Sequence, residues 1–415
     1  MPMSSNPGVA PAVLVIGTGM YVCGRHTDSF GTVLPVAVQS QAAGLVGDIF
    51  VAGTSVEGME LLQDKLAQLN TRLGTRAEIR GYPKDGGRDP FAYRKALSEI
   101  PSPACAIVVV PDHLHAAVAE DVIEAGLHLL VVKPLAPTLA EARRLEGLAR
   151  VRNIYGAVEF HKRFDEANLI LRQIIADGRL GDLRYVTAEY SQRRGIQKIF
   201  QSWIQKSNVF QYLGVHYVDL IYFVTGARPV RALATGQPPG LAAKNLGSLD
   251  SIQAMVEWRD PSGEKSFVST IATNWIDPDR SSAMSDQKIT VVGTSGRYQS
   301  DQKHRGVQLV TEEGGVEDVN PYFSQCYADT TGDVSVHGYG PCSIRRFLTD
   351  VRDLIDGRRE LRELAITRPS FQEALVSTAV IEAVNQSLSG EGDWVTIDQA
   401  SIRVATGQKS LEDHV

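Results

Sequence analysis

The fold of this chain is decided by the stretch Val13-Leu14-Val15-Ile16-Gly17-Thr18-Gly19, an apolar β-branched run that ends in glycines. A strand that leads into glycines lets backbone N–H groups approach a pyrophosphate, and the helix that follows presents its positive end to the same anion. The complete dinucleotide fingerprint has a third small residue at position 22. Here Val22 stands at that position and Gly24 comes two residues later. We therefore predict a nucleotide-binding turn at residues 17–19 that departs from the standard pattern.

Strand-like and helix-like segments alternate over the rest of the first half of the chain. After the first strand, further strands are predicted at residues 48–52, 77–82, 104–110, 129–132 and 155–160. Helices are predicted between them at residues 58–73, 91–100, 115–125 and 140–150. Such alternation is typical of an α/β fold, and it predicts a Rossmann-type doubly wound parallel sheet as a dinucleotide-binding domain at residues 1–158.

The pattern changes in the second half, where strands are joined by turns such as Asp260-Pro261-Ser262-Gly263. Strands are predicted at residues 184–191, 251–258, 265–274, 288–293 and 307–311. Successive strands after a βα domain predict an α+β substrate-binding domain at residues 159–415, with a large, mostly antiparallel open sheet. We expect helices on one sheet face and a partner subunit on the other, hence a homodimer or homotetramer, with C-terminal helices able to pack back on the first domain.

Length and composition limit the functional classes. A chain of 415 residues exceeds the size at which single cores stop growing, which agrees with two domains. The net charge of −6 and the lack of any Lys/Arg block argue against nucleic acid or an anionic membrane as the main partner. No stretch approaches the ~18 apolar residues of a membrane span. The first ten residues lack a basic start and a cleavable apolar segment, so we expect a cytoplasmic protein.

The four cysteines, Cys23, Cys105, Cys326 and Cys342, are far apart and form no Cys-x-x-Cys pair. Reduced thiols are therefore favoured over a disulfide framework. No His, Cys or carboxylate cluster has metal-ligand spacing, and we predict no metal site.

Lys133 is the first candidate catalytic residue, in the run Leu129-Leu130-Val131-Val132-Lys133-Pro134-Leu135. An apolar run without polar alternation is typical of a parallel strand buried on both faces. A lysine at its carboxyl end would point into the crevice where open α/β sheets bind ligands. The alternative is a lysine that snorkels to solvent at the end of a strand.

Several motifs, in order and spacing, resemble those of the Gfo/Idh/MocA oxidoreductases, the family of glucose–fructose oxidoreductase and inositol dehydrogenase. Pro111-Asp112-His113-Leu114-His115 resembles the family's Pro-x-x-x-His. Val132-Lys133-Pro134 resembles its Glu-Lys-Pro, with Val132 in place of the glutamate. Further similar motifs are the entry into the substrate domain at residues 157–164, the Gly-x-Leu turn at 180–183, residues 213–219 and the C-terminal segment beginning at 347. Residues 213–219 match the second half of an Asp-x-Gly-x-His-x-x-Asp signature, in which Tyr212 replaces the first aspartate.

The resemblance implies an NAD(P)-dependent oxidoreductase that exchanges hydride with a secondary hydroxyl or ketone of a small carbohydrate, cyclitol or glycoside. Lys133 and His216 would be its acid/base groups, with Tyr212 beside them. If residues 209–224 form a helix, Tyr212 and His216 lie at i and i+4 on one face. Such an apolar helix is buried, and His216 could then be a satisfied core histidine. Asp219 is predicted to be structural, bonded to backbone or to a nearby arginine.

Two other functions remain open. One is redox-assisted glycoside cleavage in which the cofactor is recycled internally, because oxidation of a ring carbon acidifies its neighbour. The other is a non-catalytic sensor of dinucleotide and sugar, for which the loss of an aspartate at position 212 is the main argument.

Cofactor and substrate contacts complete the hypothesis. The predicted cofactor-binding residues are Gly17, Thr18, Gly19, Met20, Thr54, Ser55, Pro111, His115 and Lys133. The predicted substrate contacts are Arg163, Trp203, His337 and Tyr339. Open alternatives are a solvated surface for at least two of Lys162, Arg163, Arg193 and Arg194, a domain-interface filler for Trp203, and a helix-start residue bonded to its own backbone for His115. The second predicted strand ends in Gly53-Thr54-Ser55, without an acid that would bind a ribose 2′-hydroxyl, so the sequence favours NADP(H) over NAD(H). The nearest bases are Lys65, Arg72 and Arg76, and the sequence does not place any of them beside a 2′-phosphate.

Overall fold

The structure is a computed structural model that describes residues 8–238 and 248–402. The parts of the two predicted domains at residues 1–7, 239–247 and 403–415 lie outside the described residues. The first domain contains β1 (Ala12–Ile16), α1 (Met20–Cys23), α2 (Val33–Ala42), β2 (Ile49–Ala52), α3 (Val56–Leu73), β3 (Ile79–Tyr82), α4 (Ala92–Glu99), β4 (Ala104–Val108), α5 (His115–Glu124), β5 (His128–Val132), α6 (Leu139–Val151) and β6 (Gly156–Glu159).

The strands of this domain form a six-stranded sheet in the order β3-β2-β1-β4-β5-β6. All neighbouring pairs are parallel, which confirms the predicted doubly wound sheet. Alternate residues of β1 enter two different cores: Leu14 and Ile16 pack on one side of the sheet, and Val13 and Val15 on the other. Burial on both faces is the physical reason that the strands show no polar alternation.

The connection from β1 to β2 differs from a single crossover helix. The helix that follows the glycine turn has four residues, and a loop at residues 24–32 leads into the longer α2. This added loop explains why the sequence between the first two strands is longer than a standard crossover.

The second domain is α+β. It contains α7 (Glu166–Ala176), β7 (Leu183–Arg193), α8 (Ile196–Ile199), α9 (Val215–Thr225), β8 (Arg228–Gln237), β9 (Ser251–Arg259), β10 (Ser266–Asp277), β11 (Ser285–Gly293), β12 (Arg297–Asp301), β13 (Val307–Thr311), β14 (Gly315–Val319), β15 (Gln325–Ala328), β16 (Val334–His337), α10 (Tyr339–Ile355), α11 (Leu361–Thr367), α12 (Phe371–Ser389) and β17 (Val395–Thr396). Short 3₁₀ turns occur at Asp112–Leu114, His161–Phe164 and Ile204–Lys206, and a π-helical turn occurs at Phe210–Gly214.

Seven strands form the large sheet of this domain, in the order β12-β11-β7-β10-β9-β8-β17. The β7–β10 pair is parallel and the other pairs are antiparallel, so the predicted, mostly antiparallel sheet is confirmed. Burial alternates along β9, where Val256 and Trp258 are buried and Met255 is exposed. The buried face is covered in part by α12, which packs on β8.

Helix α10 joins the two halves of the molecule. Its residues Phe347 and Val351 belong to the same core as Val13 and Val15 of β1. The C-terminal part of the chain therefore completes the packing on one face of the first sheet.

Candidate active site

Lys133 immediately follows β5 and reaches across to the second domain. Its Nζ donates a hydrogen bond to the backbone carbonyl oxygen of Tyr212 at 2.6 Å and lies 3.6 Å from the centroid of the Tyr212 ring. Desolvation lowers the pKa of Lys133 to about 8, although the negative charges of Asp112 and Glu159 act in the opposite direction. Lys133 is thus a directed ammonium group between the domains, and it does not extend freely into solvent.

His216 lies in the first turn of α9 and is buried. Its Nδ1 atom is shielded from solvent and has no hydrogen-bond partner in the part of the chain that the structure describes. Burial lowers its pKa well below the usual value, and the positive charge of Lys133 lowers it further. The imidazole is therefore neutral at neutral pH and able to accept a proton.

A second histidine, which the sequence analysis did not single out, contacts His216. The rings of His161 and His216 have centroids 4.7 Å apart. His161 Nδ1 is 3.0 Å from the Glu159 carboxylate, whose other oxygen accepts a hydrogen bond from Ser343 Oγ at 2.5 Å. The sequence signal was a glutamate at the end of a buried strand, two residues before a histidine. Buried carboxylates at such positions need polar partners.

Tyr212 lies in the π-helical turn that precedes α9. Its ring contacts Lys133 and an aromatic group formed by Phe200, Trp203 and Trp275. His216 instead contacts His161 and Tyr190, so the two side chains expected on one helix face have different neighbours. Burial raises the pKa of the Tyr212 phenol well above its usual value, and the hydroxyl therefore stays protonated at ordinary pH.

Lys162 is almost completely buried beside this group, where a solvated surface was one expectation from the sequence. Its ammonium donates to the side-chain oxygens of Gln287 and Gln302 and lies 4.9 Å from the ring centroid of Tyr217 and 5.4 Å from that of Tyr190. Burial lowers the pKa of Lys162 to about 7. The site therefore contains two lysines with depressed pKa values near one neutral imidazole.

Arg163, which was predicted to contact substrate, is bound to protein carboxylates instead. Its guanidinium forms a two-pronged ion pair with Asp219 at 2.9 and 2.6 Å and a further bond to Glu373 at 2.6 Å. The side chain is buried and its donors are directed at protein carboxylates, so it is positioned to hold α9 and α12 to the start of the second domain. The prediction that Asp219 binds a nearby arginine is confirmed.

The other predicted contacts divide into two groups. Tyr339 is buried and stacks on His161 at a centroid distance of 5.6 Å, and Trp203 packs on Tyr212 at 5.7 Å. His337, in contrast, stacks on Tyr327 at 4.3 Å and is bonded to Ser335, in a separate hairpin.

His115 places both ring nitrogens on backbone carbonyl oxygens, those of Pro134 at 2.6 Å and Val110 at 2.9 Å. Its ring thereby links the ends of β4 and β5, and this differs from the expected helix-start residue bonded to its own backbone.

The glycine turn after β1 fits a dinucleotide. Gly17 has a φ of +129°, and a Cβ there would lie 2.1 Å from the carbonyl oxygen of Val109, so that only glycine is tolerated. Gly19, by contrast, is exposed and has no heavy atom within 4 Å of an added Cβ, which leaves room for a phosphate beside the backbone at Met20. This combination of close packing on one side and open space on the other is what a pyrophosphate cradle requires.

The remaining predicted cofactor residues lie at the ends of neighbouring parallel strands. Thr54 is exposed just after β2, and Ser55 caps α3 by accepting a hydrogen bond from the Gly58 N–H at 3.1 Å. Pro111 precedes the short turn that leads to His115.

No helix within the described ranges is both long and apolar enough to cross a membrane.

Comparisons with known proteins agree with this fold. A family model described as oxidoreductase family, NAD-binding Rossmann fold, matches residues 65–160, and one described as GFO/IDH/MocA C-terminal domain matches residues 169–299. Inositol 2-dehydrogenase of Rhizobium meliloti is 25% identical over 50% of this chain and 60% of its own. UDP-N-acetylglucosamine 3-dehydrogenase of Acidithiobacillus ferrooxidans is 34% identical over 31% of this chain and 38% of its own. The matched segments span from 31% to 60% of the curated relatives' own length.

The fold is similar to that of solved structures over nearly all of the chain. Scyllo-inositol dehydrogenase from Lactobacillus casei, solved with NAD(H) and scyllo-inositol, has a TM-score of 0.61 at 15% identity and covers 94% of this chain and 99% of its own. A structure described as a putative myo-inositol dehydrogenase from Sinorhizobium meliloti has a TM-score of 0.63 at 18% identity, with 94% and 100% covered.

Proposed function

Because the chain belongs to the Gfo/Idh/MocA oxidoreductase family, we propose that it is an NAD(P)-dependent dehydrogenase or reductase of a sugar, cyclitol or glycoside. The observation that carries the proposal is the state of Lys133 and of His216, which are close enough for the charge of Lys133 to lower the pKa of His216. One is a desolvated ammonium tied to the turn that precedes α9, and the other is a neutral imidazole with an unpartnered nitrogen. A solvated lysine or a satisfied core histidine would show neither feature.

The two residues have complementary roles in oxidation of a secondary alcohol. His216 accepts the hydroxyl proton, because its lowered pKa keeps it unprotonated at neutral pH. The Lys133 ammonium donates a hydrogen bond to the same oxygen and stabilises the negative charge that develops there. The bound nicotinamide supplies the acceptor, or in the reverse direction the donor, of the hydride. In reduction, protonated His216 returns the proton to the carbonyl oxygen, while the Lys133 ammonium again donates its hydrogen bond to that oxygen.

The groups around this pair orient the substrate. Tyr212 keeps its proton and donates a hydrogen bond, and Trp203 and Tyr339 present ring faces that suit the C–H faces of a sugar or cyclitol. Arg163 has no part in this proposal because protein carboxylates occupy it. We further propose a homodimer or homotetramer in which the exposed face of the second domain's large sheet contacts a partner subunit.

Among nicotinamide dinucleotides, the proposal favours NADP(H). Thr54 and Ser55 follow β2, and no acid stands between Ala52 and Val56 to bind a ribose 2′-hydroxyl. The NAD-binding family description and the NAD(H) bound to the scyllo-inositol dehydrogenase from Lactobacillus casei support NAD.

A dehydrogenase assay with matched variants tests the function. The purified chain is mixed with NAD⁺ or NADP⁺ and a panel of inositols, hexoses, amino sugars and nucleotide sugars, and the absorbance of reduced nicotinamide is followed. We expect one polyol class to give turnover that is lost in His216→Ala and kept in the exposed control Lys198→Ala. Cofactor binding with glycoside cleavage but no net absorbance change would favour the internal redox cycle. Binding without any product would favour a sensor.

A further inference from the structure

Arg25 lies in the added loop after α1, and its guanidinium approaches the start of α3. A methyl group placed on Gly58 would lie 3.7 Å from Arg25 Nη1, 3.3 Å from Ser55 Oγ and 3.4 Å from Thr18 Oγ1. Arg25, Ser55 and Thr18 therefore meet around one point, next to the carboxyl ends of β1 and β2.

The Arg25 side chain is not fully used by the protein. Its Nε is shielded from solvent and has no hydrogen-bond partner in residues 8–238 and 248–402. A buried N–H without a partner carries a free-energy cost, and a ligand that accepts a hydrogen bond would remove that cost. Guanidinium groups bind phosphate oxygens with particularly good geometry.

The place also fits one part of a dinucleotide. In doubly wound sheets, the adenosine ribose lies beyond the end of the second strand, and the residue type found there distinguishes a free 2′-hydroxyl from a 2′-phosphate. Thr54 and Ser55 occupy this position, and the nearby acids Glu57 and Asp89 are exposed. The Ser55 oxygen accepts from the Gly58 N–H, which leaves its hydroxyl hydrogen available for an anion.

A second cation, Lys65, stabilises the loop that contains Arg25. Lys65 Nζ donates to the backbone carbonyl oxygens of Thr27 and Ser29 at 2.8 and 2.9 Å. Lys65 was one of three bases that the sequence offered for a 2′-phosphate. Of the other two, Arg72 donates to the Cys326 carbonyl oxygen near the far end of α3, and Arg76 lies beyond that end. Arg25, which precedes β2, is therefore better placed for this phosphate than the three bases that follow β2.

We propose that Arg25, with Ser55, binds the 2′-phosphate of NADP(H) and makes the chain select NADP(H) over NAD(H). The selecting residue then belongs to the loop that interrupts the first crossover. This inference rests on the proposed function, since it requires that a dinucleotide binds at the glycine turn.

Binding measurements on the free enzyme test it without turnover. Dissociation constants are measured by calorimetry for NADPH, NADH, adenosine 2′,5′-bisphosphate and adenosine 5′-monophosphate, with the wild type, Arg25→Ala, Arg25→Lys and the exposed control Arg76→Ala. We expect Arg25→Ala to weaken the binding of NADPH and of the bisphosphate by at least about tenfold and to leave the binding of NADH and of the monophosphate nearly unchanged. Arg25→Lys should recover part of the lost affinity. Arg76→Ala should behave as the wild type.

The possible outcomes distinguish failure of the Arg25 proposal from failure of the proposed dehydrogenase function. Equal weakening of NADPH and NADH in Arg25→Ala would assign Arg25 to the pyrophosphate and overturn the inference. So would an unchanged NADPH affinity, or a wild type that prefers NADH. Failure of all four nucleotides to bind the wild type would instead overturn the proposed function. Thermal unfolding without ligand shows whether each variant is folded.

Discussion

Glu159 of β6 lies directly opposite Val132 of β5 in the parallel register. The carboxylate at this edge of the sheet therefore stands one strand away from Lys133. In the Glu-Lys-Pro pattern that this segment resembles, the acid occupies the position of Val132 itself. The chain thus keeps a negative charge near the lysine, and Glu159 raises the pKa of Lys133 against the larger, opposite effect of burial.

Replacement of Glu159 by glutamine should shift the pH dependence of catalysis. Loss of the negative charge disfavours the ammonium form, so the pKa of Lys133 falls below its value of about 8 and the alkaline limb of kcat/KM moves to lower pH. Glutamine can still accept the hydrogen bond from Ser343, which preserves the packing. The exposed Glu78→Gln variant serves as control. An alkaline limb that stays in place in Glu159→Gln would show that this carboxylate does not act on Lys133.

The wild type should have a bell-shaped kcat/KM profile for alcohol oxidation. Activity falls at acid pH when His216 becomes protonated, and this limb lies below the usual histidine value because the pKa of His216 is lowered. Activity falls again above about pH 8 as Lys133 loses its proton. A rise that continues well beyond pH 8 would contradict the need for a charged Lys133.

Removal of the lysine should separate chemistry from cofactor binding. We expect Lys133→Ala to lower kcat by about 10²-fold or more, since it removes an interaction made with the reacting oxygen, while the dinucleotide still binds. Steady-state kinetics and calorimetry measure the two effects. Unchanged turnover would remove Lys133 from the mechanism.

The Tyr212 hydroxyl should affect substrate binding without changing either limb of the pH profile. Its raised pKa keeps it protonated, so that it acts as a donor and not as a base. Tyr212→Phe keeps the ring that contacts Lys133 and Trp203 and should raise KM more than it lowers kcat. A shifted limb in Tyr212→Phe would mean that the phenol takes part in proton transfer.

Arg163 should prove to be a stability residue. Arg163→Met leaves the buried Asp219 and the partly buried Glu373 without their cation and is expected to cost about 3–5 kcal/mol in the free energy of unfolding. Chemical denaturation measures the loss, and the exposed Arg194→Met variant serves as control. A variant of wild-type stability with a raised KM would restore Arg163 to the substrate site.

The sequence predicted the elements whose signals are local. The apolar run of β1 and its glycines, the lysine after β5 and the alternating strand β9 each follow from a short stretch, because burial on one face or two sets the local periodicity. Strands without a clear apolar pattern were not predicted, among them β12 and β15, where no residue is fully buried.

Contacts between distant residues account for what the sequence did not predict. No local pattern shows the carboxylates that bind Arg163, because they lie 56 and 210 residues further along the chain. No local pattern connects Arg25 with Ser55, because their proximity depends on the path of a loop. The expectation for Tyr212 and His216 assumed a regular helix, whereas a π-helical turn precedes α9.

The shared core of β1 and α10 has a consequence for synthesis of the chain. Strand β6 ends at Glu159, and α10 begins only at Tyr339, so about 180 residues are still to be translated when the first sheet is complete. At about 5–20 residues per second, this takes on the order of ten seconds or more. Throughout that interval the patch later covered by Phe347 and Val351 is open on the nascent chain, and we expect the ribosome-bound first half to need a chaperone until α10 emerges.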